Sequence, residues 1–375
     1  MKLRVSRKSF FDALSITSRF TSYKAQLPIL GNILLETKNN KLNISATNLE
    51  MSVCLAIAAK IESEGKITVP AKTIHDVASN LSGESVDLEV DKEQIFLKCG
   101  SFSSKLLGIV ASDFPPIPAS VSKNALEIPS ETFLESLPKV LYCVSSDETR
   151  PTLTGVLMIL FKDLVSWVAT DGFRLSKKDM PMKESSRETK IIIPKGVLSE
   201  LIRIAKEQKI VLDYKKDEKQ IVFQVGEAVL SSRVIEGEFP DFEKIIPQTY
   251  KLKLDVDRNE LSQAIKLASV FARDAANVVK FIISEKTFKL NAESSQSGDQ
   301  ENSLDVKIES KDSQLFDEKG EFVIAFNCKY VEDYLNCVEG ENIEIKFNDV
   351  NSPGVFLDTS DEKLLHLIMP VRLQS

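Results

Sequence analysis

The sequence predicts an α+β fold built from three copies of one unit, and three observations carry that prediction. First, "NKLNISATNLEM" (40–51), "DLVSWVATDGFRL" (163–175) and "KTFKLNAESSQS" (286–297) are alike. Aligning Ala46, Ala169 and Ala292 spaces them at one repeated interval of 123 residues. Second, "RVSRKSFFDALSITSRF" (4–20), "EIPSETFLESLPKVL" (127–141) and "KLDVDRNELSQAIKLASVF" (253–271) each read as a strand, a polar cap and an amphipathic helix. Third, "ITVPAKTIHDVASNL" (67–81), "IIIPKGVLSELIRIA" (191–205) and "FVIAFNCKYVEDYLNCV" (322–338) each read as a strand, a break and a helix. Three registers in the same order argue against a chance match of one short motif.

Taken in chain order, each third gives the same elements. A strand enters a first helix, for which Ser130 (with Glu135 nearby) and Asp257 are candidate caps. An alternating strand then runs into a polar turn. Another strand enters a second helix, and a strand pair follows: "SVDLEV…QIFLKC", "KIVLDY…QIVFQV" and "NIEIKF…GVFLDT". Long antiparallel strands with two helices per third predict sheets with helices on one face. Proline-rich connectors, "SDFPPIPASVSKN" (112–124) and "EFPDFEKIIPQTYK" (238–251), place domains at 1–122, 123–250 and 251–375.

Composition narrows the function. The chain has 375 residues, 43% apolar and 27% charged, with a net charge of −7. It has no apolar run long enough to span a membrane and no secretory leader, so the expectation is a cytoplasmic protein without a membrane partner. Its five cysteines (Cys54, Cys99, Cys143, Cys328, Cys337) form no CxxC or zinc pattern and read as reduced thiols. With only two histidines, His75 and His366, a Ser-His-Asp triad, a Cys-His pair or a His-rich metal site is poorly served. "ESEGKIT" (62–68) lacks the upstream glycine of a phosphate loop, and no GxGxxG occurs. The expectation is a non-enzymatic protein with no metal and no cofactor.

Helical spacing sorts the faces. In 195–209, Val197, Leu198, Leu201, Ile202 and Ala205 form an apolar stripe opposite Lys195, Ser199, Arg203 and Lys206. In 259–274, Leu261, Ala264, Ile265 and Ala268 oppose Ser262, Lys266, Ser269 and Arg273. In the first helix Lys8, Ser15 and Arg19 share a face, diluted by Asp12. One reading is a solvated surface. The other is contact with the duplex backbone: Lys and Arg at one-turn spacing meet phosphates, and short Ser side chains permit close approach. The stripes hold no aromatic residue for base stacking. The third repeat departs from the pattern, with Glu332 and Asp333 beside Lys329.

"LPILGNILLE" (27–36), "ETRPTLTGVLM" (148–158), "VATDGFRL" (168–175), "GEFPDF" (237–242) and "IMPVRL" (368–373) together resemble the bacterial DNA sliding clamp family, the beta subunit of DNA polymerase III. The resemblance covers essentially the whole chain. It implies three clamp domains per chain and a head-to-tail homodimer closed into a ring, with helices lining the hole and sheets outside. It implies a processivity factor that slides on duplex DNA without reading sequence. The partners it implies are the replicative polymerase, the clamp loader and other proteins with a clamp-binding motif. Asp171-Gly172 then reads as a hairpin turn rather than a catalytic acid.

By the same resemblance a peptide pocket combines Leu153, Thr170, Gly172, Phe173, Arg174, Leu175, Pro240, Lys244, Ile245 and Pro353 with Leu367, Met369, Pro370, Val371 and Arg372. Phe173, Arg174 and Leu175 are expected to be exposed there. DNA contacts fall on Lys24, Lys72, Arg150, Lys195 and Arg203, and the dimer contact on Ser104, Leu106, Val270 and Phe271. The family commonly has His at Phe173, Arg at Lys244, Lys24 and Lys72, and an apolar residue at Ser104. Two other readings compete: a repeat-built scaffold that binds only peptides, and an enzyme with its site at Asp171.

Overall fold

A computed structural model describes residues 1–23, 27–123, 125–182, 188–206 and 208–372. They pack as two compact units, residues 1–131 with 196–234 and residues 132–195 with 235–375. The seven helices among the described residues are α1 (Arg7–Thr17), α2 (Ala71–Ser79), α3 (Ser130–Ser136), α4 (Pro138–Leu141), α5 (Lys195–Ala205), α6 (Arg258–Ala272) and α7 (Cys328–Cys337). All strand pairs are antiparallel, as the α+β reading expects.

The first unit holds a twelve-stranded sheet. Its hairpin Lys41–Thr47/Met51–Ser63 is the first copy of the aligned motif. Val53 is the position opposite Ala46. Helices α1 and α2 pack on each other. Phe10, Ala13 and Leu14 of α1 and Ala71, Ile74 and Ala78 of α2 are buried, which is the 3.6-residue pattern of the sequence. The strand Ala228–Arg233, the last of the middle third, adds to Met51–Ser63 with Leu230 opposite Val53. There the Ser52 and Ser231 hydroxyls lie 2.7 Å apart.

The second unit holds a nine-stranded and a four-stranded sheet. Asp257 caps α6, its carboxylate accepting from the backbone N–H groups of Asn259 and Glu260. Leu261, Ala264, Ile265, Ala268 and Ala272 of α6 join a core with Phe281, Phe288, Phe326, Phe347 and Phe356. The last strand, Leu364–Ile368, adds to Arg174–Pro181 with His366 opposite Ser176.

Two features depart from the sequence reading. The helix expected over 130–141 breaks into α3 and α4 at Pro138, which has no N–H for the ladder and whose ring crowds the preceding turn. The connector 238–251 is more than a spacer: it folds into a 3-10 turn, Phe242–Ile245, and buries Phe239 and Phe242 edge-to-face at 6.4 Å.

Candidate functional site

The hairpin between strands Leu164–Thr170 and Arg174–Pro181 is closed by its own polar residues. The Thr170 hydroxyl donates to the Arg174 carbonyl at 2.6 Å and accepts from the Gly172 N–H at 3.0 Å. Asp171 Oδ1 accepts from the N–H groups of Phe173 and Arg174 at 2.9 and 3.0 Å. Gly172 takes φ +93°, a backbone conformation that other residues rarely adopt, so the turn favours glycine. The Asp171 carboxylate is thus engaged in shaping a turn.

Arg174 sits differently from the expectation. Its side chain is 10% exposed. Nε donates to Asp171 Oδ2 at 3.0 Å, Nη1 to Asp333 Oδ2 at 2.6 Å and Nη2 to the Tyr142 carbonyl at 2.8 Å. The rings of Tyr330 and Tyr142 lie 4.5 and 5.4 Å from the guanidinium carbon. Burial opposes the charge, and hydrogen bonding to Asp333, with further help from Asp171, holds the Arg174 pKa above its ordinary value. Leu175 is also not exposed: it is buried in an apolar cluster with Leu153, Leu157, Val168 and Leu367. Only Phe173 of the three is exposed, at 57%.

The C-terminal segment reaches the same hairpin. Arg174 pairs with Ile368 and Leu175 with Leu367. The Met369 N–H then donates to the Phe173 carbonyl at 2.8 Å, and the Val371 N–H to the Ala325 carbonyl at 2.8 Å. Met369, Val371 and Arg372 are exposed and Pro370 is half-buried. Beneath lies an apolar floor that includes Leu153, Leu175, Leu367, Phe239, Phe242 and Val355, all buried. Pro240, Lys244 and Ile245 from the connector are exposed, with Lys244 paired to Asp241 at 2.8 Å. Pro353 is half-buried and lines, with Pro247, Tyr250, Val355, Leu357 and Leu365, an adjoining cavity of 220 Å³. The pocket residues expected from sequence therefore divide into a buried floor (Leu153, Leu175, Leu367), a turn (Thr170, Gly172, Arg174) and an exposed rim (Phe173, Ile245, Met369, Val371). An apolar floor with a few fixed polar groups can hold aliphatic and aromatic side chains of a short peptide.

Sequence reasoning missed His366, which lies under this region. It is fully buried, 3.1 Å from the Tyr142 hydroxyl through Nδ1 and stacked on Tyr334 at 4.8 Å. Burial pushes its pKa down to about 3, with the Arg174 charge acting in the same sense, so the ring is neutral packing. Its place on an alternating strand was the available signal. Near it, Lys139 and Lys178 converge on Asp361 at 2.8 and 2.5 Å and tie α4 to the sheet.

The basic positions are less free than their spacing suggests. Lys24 lies outside the described residues. Lys72 on α2 and Lys195 at the start of α5 are exposed. Arg150 bonds Asp147 and the Asp171 carbonyl, both at 3.1 Å. Arg203 is exposed and pairs with Glu200 at 2.7 Å. Glu200 is buried and also takes Arg19 at 2.6 Å, while Ile202, assigned to the apolar stripe, is only half-buried. A carboxylate one turn from an arginine was the signal for that bridge. Of the dimer positions, Ser104 and Leu106 lie on the strand Phe102–Leu107, Val270 is 53% exposed on α6, and Phe271 is half-buried against the core.

No helix among the described residues is long and apolar enough to cross a membrane. No group of three or more His, Cys, Asp or Glu among them is placed to hold a metal ion.

Three family models match the chain consecutively: the N-terminal, central and C-terminal domains of the DNA polymerase III beta subunit, over residues 1–118, 127–241 and 243–372. Among curated proteins, the chain is 29% identical to a beta sliding clamp of Synechocystis sp. over the full length of both. It is 26% identical to that of Staphylococcus aureus over 99% of each. The structure is similar to that of the DNA polymerase III beta subunit of Thermotoga maritima (TM-score 0.90, 28% identity, all of both chains). It is also similar to the sliding clamp of Bacillus subtilis (TM-score 0.92, 25% identity, all of both chains).

Proposed function

The chain belongs to the DNA polymerase III beta-subunit family, the sliding clamps, and from that premise we propose how its own residues serve a DNA polymerase processivity factor. The protein acts as a ring around duplex DNA. A closed ring cannot leave sideways, so it tethers a polymerase without gripping bases, and weak contacts favour sliding. We take the repeats at 1–122, 123–250 and 251–375 as its three domains, two chains completing the ring head to tail. Lys72, Lys195, Arg203, Arg150 and Lys24 would meet phosphates. The clamp loader and other clamp-binding proteins would share the peptide pocket with the polymerase. The protein supplies topology and docking rather than catalysis, in the cytoplasm where the chromosome is copied.

The observation that carries this reading is the apolar floor under the 171–173 hairpin, closed by a C-terminal segment hydrogen-bonded to Phe173. Primer extension with the replicative polymerase and clamp loader of the same organism tests it. Adding the protein should lengthen products at single-turnover polymerase, and a clamp-binding peptide in excess should reverse the gain. Unchanged product length would contradict the reading.

A further inference from the structure

The second helix of every repeat carries an acid at its sixth position: Asp76 in α2, Glu200 in α5 and Asp333 in α7. In the two repeats that follow another in the chain, this acid grips an arginine of the repeat before. Arg19 Nε donates to Glu200 Oε2 at 2.6 Å, and Arg174 Nη1 donates to Asp333 Oδ2 at 2.6 Å. Asp76, in the first repeat, is exposed. The two arginines are not equivalent positions. Arg19 stands one 123-residue interval before Tyr142, and Met51 one interval before Arg174. The acid keeps its place in both joints, while the arginine sits after the first helix in one and beside the 171–173 turn in the other.

From Asp333 a continuous chain of hydrogen bonds runs to the rim of the pocket. Arg174 Nε donates to Asp171 Oδ2 at 3.0 Å, and Asp171 Oδ1 accepts from the Phe173 N–H at 2.9 Å. The Phe173 carbonyl in turn accepts from the Met369 N–H at 2.8 Å. Two exposed rim residues thus depend on one turn, and that turn is anchored on α7 through Asp333. Tyr330, one helical turn before Asp333, places its ring 4.5 Å from the guanidinium carbon, so one face of α7 supplies both the charge and the ring.

We propose that Asp333 is a positioning residue for peptide binding: acting through Arg174 rather than on the peptide itself, it sets the 171–173 turn that presents Phe173 and Met369. The inference rests on the peptide pocket proposed above and extends its working parts to α7. It also accounts for the acidic side chain near Lys329 in the third repeat, which is turned to Arg174 rather than left free to repel phosphates. A charge-assisted hydrogen bond is short and directional, so a neutral side chain at 333 cannot hold the guanidinium in the same way.

Fluorescence anisotropy on the full chain tests the role, with a labelled clamp-binding peptide that carries a leucine and a phenylalanine. Asp333→Ala should weaken peptide binding about tenfold, the effect of losing one charge-assisted hydrogen bond. Alanine is the best helix former, so the amides of α7 should keep their protection against hydrogen exchange. The N–H groups of Phe173 and Arg174, which donate to Asp171 Oδ1, should exchange at least about threefold faster. Asp333→Glu keeps the carboxylate and should bind the peptide within about threefold of the parent. Glu332→Ala removes the neighbouring charge and should change neither readout. An Asp333→Ala variant that binds the peptide as tightly as the parent would overturn the positioning role while leaving the pocket standing. So would weakened binding with unchanged exchange at Phe173 and Arg174. A parent chain that does not bind the peptide would remove the pocket reading, and this role with it.

Discussion

Arg174 keeps its charge away from water because Asp171, Asp333 and the Tyr142 carbonyl bond it while two tyrosine rings flank it. It fixes the hairpin that presents Phe173. Removing it takes a partner from Asp171 Oδ2, Asp333 and the Tyr142 carbonyl, so Arg174→Ala should cost about 2–4 kcal/mol in urea denaturation. Asp171→Asn keeps an oxygen for the two backbone N–H groups and should cost only about 1 kcal/mol. An Arg174→Ala variant as stable as its parent would show that the hub is ornamental. Asp361 makes a pH-dependent contribution. Burial alone would raise its carboxyl pKa, but Lys139 and Lys178 outweigh that and hold it below the ordinary value. A depressed folded pKa stabilises above the unfolded value near 3.9, and that stability is lost as pH falls through the folded value. Stability should therefore drop below about pH 4, and Asp361→Asn should flatten that part of the pH–stability curve.

At the scale of elements, the C-terminal segment is held by the Met369 and Val371 N–H groups, which donate to the Phe173 and Ala325 carbonyls. Truncation after Ile368 keeps the strand Leu364–Ile368 and should preserve the melting temperature within a few degrees. It removes the apolar rim, so affinity for a clamp-binding peptide should fall at least about tenfold, in line with roughly 1.5–3 kcal/mol per buried large side chain. Thermal melting checks the fold and isothermal titration the loss. The hairpin was legible because Asp-Gly between alternating strands is local turn chemistry. The six helix starts that follow a strand were legible from periodicity. The break at Pro138 was legible in principle, yet a continuous apolar pattern over 130–141 masked it. Leu175 was misread as exposed because the order of side chains on a strand is set by the sheet's buried face, which the hairpin alone does not reveal. Glu200 and His366 became visible only when distant strands and helices met, since Arg19 is 181 residues from Glu200.

For the whole molecule, the threefold repeat was readable as 123-residue spacing. Less readable was that the compact units cut through the middle third, because the joints are made by strands that pair between repeats. Under the net charge of −7, Lys72, Lys195 and Arg203 are exposed on helices, and the proposed phosphate contact is tested by reversing two of them. Replacing Lys195 and Arg203 with Glu should shorten residence on DNA and leave the melting temperature near that of the parent. Sharp base preference in the parent would contradict a backbone-only contact.

The most direct measurement follows the protein loaded onto a nicked circular plasmid through gel filtration at moderate salt, before and after a single restriction cut. A closed ring should co-elute with the circle and be lost when the DNA is linearised, because it slides off the ends. Equal retention on circular and linear DNA, or none on either after loading, would contradict the central claim that this chain holds DNA by encircling it.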